Sequence, residues 1–248
     1  MPGATGWTKA GRKAHVAGVA LGRFITLEGG EGAGKSTQAR RLGEGLTARG
    51  LKAVVTREPG GSPGAEAIRA LLVTGEADRW SAVTETLLAY AARRDHIERT
   101  IAPALADGAW VVSDRFADST RAYQGAGGGA PGSLIQSLER YVLGETRPDL
   151  TLILDLPVEA GHARIASRDH AETRFEGKGE DFHQRLRDCF LAIARVERDR
   201  CVVIDATQPA DAVEAAIWAA VESRLAPPKP VSGPAPGPVS GPVSGSAT

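Results

Sequence analysis

Short apolar runs recur along the middle of the chain, and each gives way to a longer segment in which apolar residues return every three or four positions. Phe24-Ile25-Thr26-Leu27, Leu51 to Thr56, Ala109 to Ser113, Leu150 to Asp155 and Cys201 to Asp205 read as strands. Their near-continuous Val, Ile and Leu suits a sheet covered on both faces. Thr37 to Arg49, with Ala39, Leu42 and Leu46 on one face, reads as the first helix. Further helices are predicted over 65–73, 81–107, 133–143, 158–167, 181–198 and 209–224, the long one bent by Pro103. Strands alternating with helices predict an α/β domain whose mostly parallel sheet carries helices on both faces.

The turn after the first strand changes the picture from fold to chemistry. Gly29-Gly30-Glu31-Gly32-Ala33-Gly34-Lys35-Ser36 meets the phosphate-loop pattern at every defined position, between a strand and a helix. Glycines let consecutive N–H groups converge on a phosphate, and the helix N-terminus adds its positive end. In such a loop Lys35 reaches the β- and γ-phosphates and the Ser36 hydroxyl ligates Mg²⁺. The chain is therefore expected to bind a nucleoside triphosphate. Asp114, at the tip of the third strand beside Arg115, stands where a second carboxylate facing Mg²⁺ is expected.

Other polar clusters bracket this centre. Arg57-Glu58-Pro59-Gly60-Gly61 breaks the chain at the carboxyl end of the second strand, the end where ligands bind in open α/β sheets. Ser119 to Gly129 is polar, then aromatic, then glycine-rich, with Tyr123 and Gln124 placed to read something planar. The polar segment from Arg168 through Arg174 to Gly179 lies between helices and could close over a nucleotide, or serve as a solvated linker. In Arg93-Arg94-Asp95-His96, Arg94 and Asp95 read as a solvated face and His96 as structural.

Composition trims the domain and narrows the partners. From Ala226 onward the chain is Pro, Gly and Ser with no periodicity, a composition expected to stay disordered. Residues 1–22 are expected to be a flexible leader, leaving 23–225 as one domain. Lys plus Arg number 30 and Asp plus Glu 30, so bulk binding to nucleic acid is not expected. No run has the length of a membrane span, and Cys189 and Cys201 lack metal-ligand spacing. The cytoplasm is the expected compartment.

Five separated segments resemble the thymidylate kinases: Glu28 to Ser36, Thr56-Arg-Glu-Pro-Gly-Gly, Tyr90-Ala-Ala-Arg93, Asp114-Arg115 with Ser119 and Ala122-Tyr-Gln-Gly, and Arg174-Phe-Glu. The resemblance implies a P-loop nucleoside monophosphate kinase fold with five parallel strands. It also implies transfer of the γ-phosphoryl group of ATP to dTMP, with Mg²⁺, in a cytosolic homodimer, as part of dTTP synthesis for DNA replication. Residue by residue, it implies that Lys35 and Ser36 hold the ATP phosphates and Mg²⁺, and that Glu31 accepts a hydrogen bond from the acceptor's 3′-hydroxyl. Pro59 would form a cis peptide shaping the acceptor pocket. Arg93 would meet the thymine carbonyl edge and Arg115 the acceptor phosphate. Tyr123 would lie against the sugar, where a 2′-hydroxyl would clash, with Gln124 in the same pocket. The phosphate loop has no arginine after Glu31, so the catalytic cations would come from Arg168 and Arg174, with Arg164 one turn earlier.

One position departs from the family. Four residues before Arg93, where a phenylalanine usually stacks on the thymine, this chain has Ala89, and the neighbouring Tyr90 points about 100° away on a helix. Two rival readings stand beside the first. Another nucleoside monophosphate kinase on this fold would differ in its acceptor, and an ATP-driven switch would need a γ-phosphate sensor and a partner surface.

Overall fold

The structure is a computed structural model that describes residues 22–76, 78–166, 174–175 and 177–228. Five parallel strands form one sheet in the order β2-β3-β1-β4-β5: β1 (Phe24–Glu28), β2 (Ala53–Arg57), β3 (Trp110–Asp114), β4 (Leu150–Asp155) and β5 (Cys201–Asp205). From β1 the chain crosses to β2 and β3 on one side, then to β4 and β5 on the other. The crevice where that direction reverses lies at the carboxyl end of β1. Register brings Leu27 level with Asp114 of β3 and Leu152 of β4, so the turns after β1 and β3 emerge side by side.

Alternating side chains of the central strands feed two cores. On one face Ile25, Leu27, Val112, Leu152, Leu154 and Ile204 pack with Leu42 and Leu46 of α1 (Lys35–Ala48) and Val213, Ile217 and Val221 of α9 (Ala210–Leu225). On the other, Phe24 and Val111 meet Tyr90 of α3 (Ala82–His96), Phe116, and Ile135 of α6 (Gly132–Leu143), with Phe24 and Phe116 edge-on at 4.9 Å. Ile153 meets Leu186 and Phe190 of α8 (Glu180–Val196). The sheet covered on both faces agrees with the apolar pattern.

Local physics moved some boundaries. The second strand starts at Ala53 rather than Leu51, because Leu51 belongs to the end of α1. Gly50, at φ +77°, lets its own N–H reach Thr47 O at 2.9 Å and that of Leu51 reach Leu46 O at 3.1 Å, a Schellman closure. The long helix expected over 81–107 is α3, then a π turn (Ile97–Ile101), then α4 (Ala102–Ala106). Pro103 has no N–H for the carbonyl of Arg99, and the chain answers upstream of it, where Ala102 N–H reaches back to Ile97 O. Ser119 to Gly129, to which the apolar pattern assigned no element, is largely helical: α5 (Ala117–Thr120) runs into a π-helical segment (Arg121–Gly127) that buries Tyr123 and Gln124. Asp95 is not on a solvated face. Its carboxylate accepts from Ser62 Oγ at 2.6 Å and from Ala65 N–H at 3.3 Å, capping the start of α2 (Pro63–Val73). Arg94 is exposed, as expected.

Candidate active site

The phosphate loop leaves β1 through glycines that no other residue could replace without strain. Gly29, Gly32 and Gly34 have φ of +135°, +71° and +85°. A Cβ on Gly29 would stand 2.4 Å from Leu154 O, and one on Gly32 2.5 Å from Gly161 O. Gly34 caps α1 without a side-chain acceptor, and the first turn of that helix has no acidic residue, so its positive end is left for an anion. Gly30 and Ala33 complete the curl. Lys35 Nζ folds back to donate to Gly30 O at 2.6 Å.

At the tip of β3, Asp114 accepts from the Ser36 hydroxyl through Oδ2, while its Oδ1 is buried with no protein partner. One orphaned carboxylate oxygen beside a serine hydroxyl is a donor set that fits Mg²⁺, which takes one or two protein ligands and completes its shell with phosphate and water. Among the described residues no group of three His, Cys, Asp or Glu could hold an ion unaided.

Arg115 follows in a left-handed conformation, φ +70°, a strained state for a residue with a Cβ. The strain aims its guanidinium back across the phosphate loop. Nη1 donates to Gly29 O at 3.1 Å and Ser119 Oγ at 3.2 Å, and Nη2 to Glu31 Oε1 at 2.9 Å and Tyr123 Oη at 2.8 Å. The Tyr123 hydroxyl itself donates to Glu31 Oε1 at 2.7 Å. Arg115 thus joins loop and cavity.

That cavity, of about 150 Å³, is lined by Glu31, Pro59, Ala89, Arg93, Arg115, Tyr123, Gln124 and Phe175. The Glu58–Pro59 peptide is cis. Arg93 is 3 % exposed, and a carboxylate and two oxygens hold it. Nε donates to Glu58 Oε2 at 2.8 Å, and Nη2 to Phe116 O and Thr120 Oγ1, both at 3.0 Å. Its Nη1 is buried without a partner, a donor waiting for an acceptor. Glu58 is steadied from behind by His96, whose Nδ1 lies 2.9 Å from Oε1 and whose Nε2 lies 2.8 Å from Thr56 Oγ1. The structural reading of His96 gains a particular content here.

Charge inside the site is set by burial and by neighbours. Burial opposes the Glu31 charge, but Arg115 and Lys35, with the Tyr123 hydroxyl, outweigh it and bring the carboxyl down to about 2. Burial and the repulsion of Arg115 push Lys35 down to about 8, against Glu31 and Asp114. Burial, then the nearby Asp118 carboxylate, pushes Glu28 up to about 7, against hydrogen bonds from Ser119 and Phe116 N–H. Burial works against the Arg115 cation too, yet Tyr123, Glu31, Asp114 and Glu28 around it raise its pKa.

Most residues expected at the site converge on it, while the arginines of α7 (Val158–Ala166) and of the segment after it separate. Arg168 lies outside the described residues. Arg174 turns toward the cavity wall, donating to Leu72 O at 3.2 Å and forming a buried ion pair with Glu85. Arg164 instead reaches the phosphate loop, Nη1 lying 3.5 Å from Gly32 O. Sequence reasoning gave no role to Glu28, Glu58, Glu85 or Arg69. Arg69 lines the cavity and donates to Pro59 O at 2.7 Å. Glu58 stood within a quoted motif, and its charge between Arg57 and a proline was the available signal. Glu85 and Arg69 had none, being single charges on helices.

A phosphate loop at the switch point of a five-stranded parallel sheet, joined through one arginine to a cavity that carries charged and aromatic side chains, defines a P-loop nucleoside monophosphate kinase. The sequence pattern of the family described as "Thymidylate kinase" matches residues 27–217. The chain is similar to the thymidylate kinase of Caulobacter vibrioides, 68% identical over 204 residues that cover 82% of this chain and 98% of that protein. It is also similar to that of Nitrobacter winogradskyi, 54% identical over 205 residues, 82% of this chain and 89% of that one. A crystal structure of the thymidylate kinase from Ehrlichia chaffeensis superposes with a TM-score of 0.67 at 33% identity, covering 81% of this chain and 99% of that one. The chain belongs to the thymidylate kinase family, enzymes that phosphorylate dTMP to dTDP.

Proposed function

We propose how this chain divides the transfer of the γ-phosphoryl group from ATP to dTMP between its loop and its cavity. The observation that carries the reading is Arg115, which bonds at once to the phosphate loop, to Glu31 and to the cavity's Tyr123. An acceptor phosphate held by Arg115 lies next to the loop that cradles the donor, and positioning of that kind supplies most of the catalysis in phosphoryl transfer.

The N–H groups of Gly29 to Ser36, with Lys35, bind the ATP phosphates. Ser36 and Asp114 hold Mg²⁺, which when bound neutralises charge on the β- and γ-phosphates. Arg93 offers its unpartnered Nη1 to a thymine carbonyl, while Gln124 and Pro59 close the pocket around the base. Glu31 accepts from the 3′-hydroxyl, and the Tyr123 ring occupies the space a 2′-hydroxyl would need. Arg168 is assigned the catalytic cation on the moving phosphoryl group, as the resemblance implies.

The same reading makes the protein a cytoplasmic homodimer. Among the described residues no helix is long and apolar enough to cross a membrane. Leu71 of α2 and Val83 and Leu87 of α3 are 39%, 41% and 48% exposed on helices packed side by side, a surface suited to a second copy. Sedimentation velocity should give twice the chain mass. For the reaction, ATP consumption is measured with each nucleoside monophosphate as acceptor. dTMP should give the highest kcat/KM, and equal use of AMP or dCMP would overturn the acceptor assignment.

A further inference from the structure

The cavity has an aromatic deficit where its ligand needs a ring. Ala89 offers a methyl group at the wall beside Arg93 and Gln124, the two groups placed to read a base edge. Tyr90 does not make up for it: it is 1% exposed, packed in the core with Phe24, and its ring lies under the Arg93 guanidinium at 4.8 Å. Phe116 lines the cavity but is itself 1% exposed and edge-on to Phe24. Tyr123 is tied by its hydroxyl to Arg115 and Glu31 at the phosphate end.

That leaves Phe175. It is half-buried, lines the same cavity as Ala89, and meets Tyr123 edge-on with centroids 5.5 Å apart. Its position is enforced by the residue before it. Arg174 is 6% exposed, its backbone N–H donates to Val73 O at 3.4 Å, and its side chain donates to Leu72 O and pairs with Glu85. Leu72, Val73 and Ala89 all line the cavity, so these bonds fasten residue 175 to its base end. Glu85 in turn accepts from Gln124 Nε2 at 3.3 Å, linking the fastening to the base-reading side chain. A buried ion pair with one partner removed leaves an uncompensated charge, so Arg174 is committed to this place.

We propose that Phe175 supplies the ring face for the acceptor base that Ala89 lacks, and that Arg174 is the positioning residue that holds it there rather than a cation on the transferring phosphoryl group. The inference rests on the dTMP kinase reading and refines it: the base is gripped from the far side of the pocket.

The test is calorimetric binding of dTMP to the full-length protein without ATP, alongside steady-state kinetics. Phe175→Ala should weaken dTMP roughly 5- to 150-fold, the usual effect of losing a ring against a base. It should leave 2-deoxyribose 5-phosphate, which has no base, within about twofold, because uniform loosening of the Tyr123 side would weaken both ligands alike. Phe175→Leu keeps apolar packing against Tyr123 without a π face, and should show the same selective loss. Adding Ala89→Phe to Phe175→Ala should restore most of the dTMP affinity. Arg174→Ala should raise KM for dTMP with kcat and KM for ATP little changed. Wild-type affinity in Phe175→Ala, or parallel loss of dTMP and deoxyribose phosphate, would overturn the role of Phe175. A fall in kcat with unchanged KM in Arg174→Ala would return that residue to phosphoryl transfer. If the wild-type protein fails to phosphorylate dTMP, it is the acceptor assignment that fails, not the placement of the ring.

Discussion

Glu28 carries a charge that the folded protein holds at a cost, and replacing it should make stability less dependent on pH. The carboxyl is fully buried at the end of β1, accepting from Phe116 N–H at 2.8 Å and Ser119 Oγ at 2.6 Å. Burial and Asp118 push its pKa from 4.5 to about 7. A rise of that size corresponds to ~3 kcal/mol between the protonated and charged forms. The sign follows from the direction. The folded state binds this proton more tightly than the unfolded chain, so the group's stabilisation is complete below pH 4.5 and is lost as pH rises through about 7. Glu28→Gln removes the titration and retains the bonds, since its carbonyl can accept from Phe116 N–H and its amide can donate to Ser119 Oγ. Urea unfolding of both proteins at several pH values between 4.5 and 8.5 measures the difference, and other titrating groups cancel in it. The variant should gain on the wild type by up to ~3 kcal/mol across that range, mostly below pH 7. A difference that stays flat with pH would mean that Glu28 is ionised throughout and that the argument from burial is wrong.

Lys35→Ala should lower kcat by ~10²–10³-fold, the scale for one electrostatic contact to a developing charge, and near-normal turnover would remove the loop from catalysis. Asp114→Asn should raise the Mg²⁺ concentration needed for half-maximal rate, and an unchanged titration would return Asp114 to a turn-stabilising role. Tyr123→Ala should narrow the preference for deoxyribo- over ribo-monophosphate of the same base, and a wild-type preference would contradict its contact with the sugar. His96→Ala should cost ~1–3 kcal/mol of stability through the partners it leaves unsatisfied, and should raise KM for dTMP but not for ATP. Equal changes in both KM values would mean that His96 does not act through Glu58 and Arg93.

Legibility in the sequence tracked how local the cause was. The strands were readable because burial on both sheet faces demands continuous apolar runs, and the phosphate loop because its backbone needs glycine at fixed positions. Cis geometry at Pro59 agreed with the resemblance. What could not be read depended on contacts distant in the chain. Asp95 looks solvated on its own helix, and only the approach of α2 turns it into a cap. The π geometry of residues 121–127, which directs Tyr123 and Gln124 inward, has no simple periodicity to betray it. Arg174 was expected, with Arg168, among the catalytic cations that the resemblance implies, while its ion pair with Glu85 spans 89 residues of sequence. The predicted leader, 1–22, and tail, 226–248, fall almost wholly outside the described residues.

The charged groups of the site balance one another, and that balance tells how substrates enter it. Glu31 is bonded to Arg115 and Tyr123, the groups assigned to the acceptor's phosphate and sugar. If dTMP inserts its phosphate at Arg115, that guanidinium keeps its Gly29 and Ser119 bonds through Nη1 and exchanges carboxylate for phosphate at Nη2. Glu31 is then released to accept the 3′-hydroxyl. On release Glu31 keeps the nearby Lys35 cation and the Tyr123 hydroxyl, which matters because an unpaired buried carboxylate would cost several kcal/mol. Lys35, lowered by burial and Arg115 to about 8, holds its proton only marginally until an anion arrives. The triphosphate restores its charge by supplying the negative field that Arg115 opposes. Donor binding should therefore strengthen as pH falls from about 9 to 7, while acceptor binding, which relies on arginines with raised pKa, should not follow it.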